Sequence, residues 1–145
     1  MPDRTILLVE DNPDDVDLVR HAFRRAGVEA TLQVVSRGDE AVAYLSGEPP
    51  FADRIAHPLP RLILLDLKLP RMSGFEVLTW IRGYEATQYI PIVVLTSSDQ
   101  NGDIQRAHRL GANSYLTKPV ARDRLVSMLR SIDDYWLKHH RTPGV

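Results

Sequence analysis

The sequence predicts an α/β protein, one parallel sheet with helices on both faces. Three observations predict it. Short, continuous apolar runs recur at Ile6-Leu7-Leu8-Val9, Leu62-Ile63-Leu64-Leu65 and Ile92-Val93-Val94-Leu95, as in strands buried on both faces. Helix-like stretches separate the runs from end to end. Each run is also followed at once by a polar residue fit for chemistry, as at the carboxyl rim of such a sheet.

Leu32–Val35 and Ser114–Leu116 supply two further strands, shorter and nearer an edge. The first helix opens at Asn12-Pro13-Asp14-Asp15, with Asn12 as cap, Pro13 at the first helical position and the two acids at the positive end of the dipole. Val16, Val19, Phe23 and Ala26 follow at helical spacing, and Gly27 ends the helix. Asp39–Leu45, Phe75–Arg82 and Asp103–Leu110 give three more helices. The fifth carries the stripe Leu125, Leu129, Ile132 and Trp136. The result is five βα units with right-handed crossovers. Residues 46–61, with prolines at 49, 50, 58 and 60, cannot be helical throughout.

At 145 residues the chain fits one domain, expected over residues 1–140, with a polar tail at 141–145. Eighteen basic against 19 acidic residues leave a net charge of −1, which argues against nucleic-acid or membrane binding by bulk charge. The absence of cysteine excludes disulfides, zinc-thiolate sites and a cysteine nucleophile. No signal-peptide pattern opens the chain, and a cytoplasmic location is expected.

The rim residues are Glu10 and Asp11 after the first strand, Asp66 after the third, Thr96 after the fourth and Lys118 after the fifth. Three carboxylates close together raise each other's pKa unless a cation compensates, and Lys118 returns only one charge. A divalent ion brings the sum to zero, and an all-oxygen site suits magnesium. Each residue has a plainer alternative. Thr96 alone is a cap or loop hydroxyl, Tyr115 alone a packing residue, and Lys118 a solvated loop lysine. Asp14, Asp15 and Asp17 read as a solvated helix start. Asp66 is harder to dismiss, because a carboxylate ending an apolar strand needs a partner. The five histidines carry no ligand pattern, and Arg20, Arg24 and Arg25 form a basic face on the first helix.

Five pieces in order, Val9-Glu10-Asp11, Leu64-Leu65-Asp66, Leu69-Pro70-Arg71-Met72-Ser73-Gly74, Val94-Leu95-Thr96-Ser97 and Gly111-Ala112 through Tyr115-Leu116-Thr117-Lys118-Pro119, resemble the receiver domain of two-component response regulators. The resemblance implies a flavodoxin-like sheet of order 2-1-3-4-5 with the site at its switch point. It implies Asp66 as phosphoacceptor from a sensor histidine kinase. Magnesium would be held by Asp11, Asp66, Glu10 through water, and the Lys68 carbonyl. Lys118 would pair with Asp66 and later with the phosphoryl group, across a cis Lys118–Pro119 bond. Thr96 and Tyr115 would form the switch, with small Ser97 leaving access.

Val120 and Lys68 depart from the commonest pattern. The 46–61 connection, the Asp11–Asp15 segment and Lys-Pro-Val resemble stand-alone receivers that serve phytochrome-type kinases. With about 25 residues after Val120 an output domain does not fit, so the readout is a protein contact: a downstream phosphotransfer protein, or a homodimer through the fourth helix, fifth strand and fifth helix. A haloacid-dehalogenase-type phosphohydrolase needs a second acid where Lys68 stands. A flavodoxin-like mononucleotide binder needs a glycine-rich turn where Glu10-Asp11-Asn12-Pro13 stands.

Overall fold

The computed structural model describes residues 4–118 and 121–134. Five strands, β1 (Thr5–Val9), β2 (Thr31–Val35), β3 (Leu62–Leu65), β4 (Ile92–Thr96) and β5 (Ser114–Thr117), alternate with five helices. These are α1 (Pro13–Ala26), α2 (Gly38–Ser46), α3 (Gly74–Gly83), α4 (Asn101–Arg109) and α5 (Arg122–Ile132). All strand pairs are parallel, in the order β2-β1-β3-β4-β5, which is the flavodoxin-like order. The three apolar runs are the three central strands, and every residue of β1, β3 and β4 is buried.

Alternation along those strands divides the core in two. Leu7, Val9, Ile63, Leu65, Ile92 and Val94 face one side and pack with Tyr44, Leu45, Val77 and Ile81 of α2 and α3. Ile6, Leu8, Leu62, Leu64, Val93 and Leu95 face the other, against Val19 and Phe23 of α1 and Leu125, Leu129 and Ile132 of α5. Each such side chain contributes about 1.5–3 kcal/mol on burial. A period of two on the strands thus meets a period near 3.6 on the helices.

The helix ends follow local chemistry. Asn12 accepts the Asp14 N–H at 2.9 Å, Pro13 occupies the first turn, and Gly27 closes α1 in the left-handed region at φ 69°. Ser73 and Glu76 form a reciprocal capping box at α3 that the sequence reading did not single out. The segment between α2 and β3 is non-helical, as its prolines require, and is tied down by Arg54. That guanidinium donates to the carbonyls of Tyr44, Leu45 and His57, while Tyr44 Oη donates to the Pro58 carbonyl. The predicted 141–145 tail, Trp136 and Pro119 lie outside the described residues.

Candidate functional site

Ladder hydrogen bonds continue one residue past the strands and so fix the rim. The Asp66 N–H donates to the Val9 carbonyl at 3.1 Å, the Glu10 N–H to Val35 at 3.0 Å, and the Lys118 N–H to Thr96 at 2.7 Å. Asp66 is therefore set beside Glu10, and Lys118 beside Thr96. Carboxylate oxygens of Glu10, Asp11 and Asp66 all lie within 4.8 Å of one another. Glu10 and Asp66 are buried whereas Asp11 is exposed. This open, all-oxygen donor set fits a hard divalent cation that keeps some of its water.

The Lys118 ammonium sits against the cluster. It donates to Glu10 Oε1 in a short contact, to Asp66 Oδ2 at 3.1 Å and to Asp15 Oδ2 at 2.9 Å. The third partner corrects the sequence reading, in which Asp15 was a solvated helix-start acid. Asp14 and Asp17 are indeed exposed, but Asp15 is half-buried and points to the rim from the first turn of α1. The site therefore holds four carboxylates against one ammonium. A divalent ion would leave that sum at −1, not zero.

The surroundings set the protonation states. Burial pushes the Glu10 carboxyl up to about 7, against the hydrogen bond from Lys118 and with help from the neighbouring Asp66 charge. Burial also pushes Asp66 up, but the Thr96 hydroxyl, the Lys118 cation and the Lys68 N–H outweigh it and hold Asp66 below the usual carboxylate range. Burial opposes the Lys118 charge, and its carboxylate partners overcome that, raising its pKa above the ordinary lysine value.

Asp66 Oδ1 accepts the Lys68 N–H at 3.2 Å, while the Lys68 side chain is exposed. Thr96 is wholly buried, and its hydroxyl has no partner in hydrogen-bond geometry although it stands near enough to Asp66 to favour the anion. Leaving such a hydroxyl unpaired costs about 1–3 kcal/mol. Tyr115, half-buried, donates from Oη to the Ser98 carbonyl at 2.8 Å. Ser97 is exposed at the mouth. The turn after β3 packs tightly under the site. A Cβ on Gly74 would stand 2.3 Å from the Asp66 carbonyl oxygen and 2.4 Å from Leu67 Cα. Among the described residues no histidine joins the acidic group.

Fold and rim together define a flavodoxin-like α/β domain with an acidic, lysine-bearing site at its switch point. The chain belongs to the response regulator receiver domain family, which it matches over residues 6–130. It is similar to the probable methanogenesis regulatory protein FilR2 of Methanothrix harundinacea, at 40% identity over 96% of this chain and 87% of that one. It is also similar to the response regulator Rcp1 of Synechocystis, at 36% identity over 99% and 95%. Among solved structures, the phosphorylated cyanobacterial phytochrome response regulator RcpA superposes with a TM-score of 0.86, at 36% identity over 98% of this chain and 99% of that one. A Mn(2+)-bound form of Rcp1 does so with 0.83, at 35% identity over 97% and 99%. No described helix is long and apolar enough to cross a membrane.

Proposed function

We propose that this chain takes a phosphoryl group on Asp66 from the phosphohistidine of a sensor histidine kinase and signals through changed protein contacts. An Asp66 carboxylate oxygen attacks phosphorus, the P–N bond breaks, and its electron pair leaves with the imidazole nitrogen. The products are an aspartyl phosphate and a free histidine. The observation that carries this reading is the buried Asp66 carboxylate, bound on one oxygen by Lys118 and on the other by the Lys68 N–H, beside the unpartnered Thr96 hydroxyl.

Glu10, Asp11, Asp66 and the Lys68 carbonyl would hold Mg2+, an assignment supported by the convergence of the three carboxylates. When bound, the ion offsets charge on the phosphoryl oxygens. The protein's own groups do the rest. Lys118 gives an N–H to a phosphoryl oxygen, offsetting part of the extra negative charge that phosphorylation brings to Asp66. Thr96 gives its free hydroxyl to another and so gains the partner it lacks. That motion changes the space beside Tyr115, which is tied to the turn leading into α4. The signal then reaches the face made by α4, β5 and α5, where a homodimer or a downstream phosphotransfer protein would read it. The likeness to RcpA and Rcp1 favours a phytochrome-type kinase as donor.

Intact-protein mass after incubation with a small acyl phosphate tests the chemistry. The reading predicts a gain of one phosphoryl group that needs both magnesium and Asp66. A gain that persists in Asp66→Asn, or none in the folded wild type even with the donor in excess, would overturn it.

A further inference from the structure

An ammonium has three N–H donors, and Lys118 spends all three on carboxylates: Glu10, Asp15 and Asp66. To give one to a phosphoryl oxygen it must release a partner. Glu10 and Asp66 belong with Asp11 to the trio whose oxygens converge within 4.8 Å, so a bound cation shares their charge. Asp15 is not part of that trio. It is also the most exposed of the three partners, its side chain 30% accessible against 2% for Glu10 and 8% for Asp66. It stands in the first turn of α1, behind the Asn12 cap and Pro13, at the positive end of the helix dipole.

We infer that Asp15 is a positioning residue that competes with the phosphoryl group for Lys118. It holds the ammonium on the α1 side of the rim, so that its anion and the phosphoryl group draw on the same cation. This rests on the phosphoacceptor reading above and adds to it a control on how tightly the phosphorylated state is held. Two effects act in the same direction when the Asp15 charge is removed. Lys118 is freed of one anion, and a fourth negative charge no longer faces the incoming dianion.

The test is beryllofluoride binding, followed by calorimetry at saturating magnesium, on the wild type, Asp15→Asn, Asp15→Ser and Asp14→Asn. Asp14 is exposed one residue away, so its variant carries the same change in net charge without touching Lys118. Both Asp15 variants are expected to bind beryllofluoride about threefold more tightly than the wild type, the scale of one partly exposed ion pair, and Asp14→Asn to match the wild type. Asp15 variants that bind as the wild type does, or more weakly, overturn the inference, as does an equal gain in Asp14→Asn. A purely structural role would lower the melting temperature without tightening binding. A wild type that binds no beryllofluoride would instead overturn the phosphoacceptor reading itself.

Discussion

The Tyr115 hydroxyl donates to the Ser98 carbonyl across 2.8 Å, joining β5 to the turn that follows β4 two residues beyond Thr96. That turn is further held by Ser98 Oγ, which donates to Asp103 in the first turn of α4. One phenol thus connects the end of the site to the start of α4. Tyr115→Phe keeps the ring and removes the tie. It is expected to cost about 1 kcal/mol of stability. Amide hydrogen exchange at residues 98–103 should quicken, while the mass gain on Asp66 persists. Unchanged exchange in that turn would count against the connection.

The near-isosteric Thr96→Val removes a buried hydroxyl that favours the Asp66 anion, so the Asp66 carboxyl should rise toward the usual carboxylate range, as read by NMR titration of its side chain. The same change removes the donor proposed for a phosphoryl oxygen, so the beryllofluoride complex should gain less stability over the free protein than the wild type does. An unchanged Asp66 titration in the variant would mean that the hydroxyl does not act on Asp66 in the resting protein.

Gly74 starts α3 directly under Asp66. The atoms a Cβ would meet are backbone, which cannot swing aside. Gly74→Ala is expected to cost about 1–3 kcal/mol or more. Because the displaced backbone is that of Asp66 and Leu67, phosphorylation should slow as well. Thermal unfolding and the rate of mass gain check the two effects together.

Tyr44 gives a stability signature at alkaline pH. Burial pushes its phenol up to about 12, whereas an unfolded tyrosine titrates near 10. The contribution is fully present below pH 10 and is lost as pH rises from about 10 to about 12, because the unfolded chain releases the proton first. Two pKa units correspond to about 2–3 kcal/mol. Tyr44→Phe should be less stable at pH 7, lacking the bond to Pro58, yet lose less stability than the wild type across that window. Denaturant midpoints at pH 7, 10 and 11.5 read the difference.

What was legible in the sequence follows from where each signal lies along the chain. A parallel strand buried on both faces is a contiguous apolar run, so β1, β3 and β4 were visible, and with them the rim residues that end them. Asn12, Pro13 and Gly27 marked α1 because caps act on neighbours in sequence. Asp15 was not legible. Its partner is 103 residues away, and the helix dipole already supplied a sufficient reason for an acid there. Arg54 and Arg82 were missed on similar grounds. Arg82 donates to the carbonyls of Gln88, Ile90 and Gly111 and to the Asn113 side chain, and nothing local in its sequence shows that it bridges α3 to the β4 and β5 approaches.

The central claim is that Asp66, among four carboxylates gathered at one rim, is the phosphoacceptor. Borohydride reduction of the protein after incubation with an acyl phosphate and magnesium tests it most directly, since reduction of an aspartyl phosphate leaves homoserine in its place. Peptide mapping should find homoserine at position 66 and at no other aspartate. Homoserine at position 11 or 15, or an intact Asp66 in protein that has gained a phosphoryl group, would contradict the account.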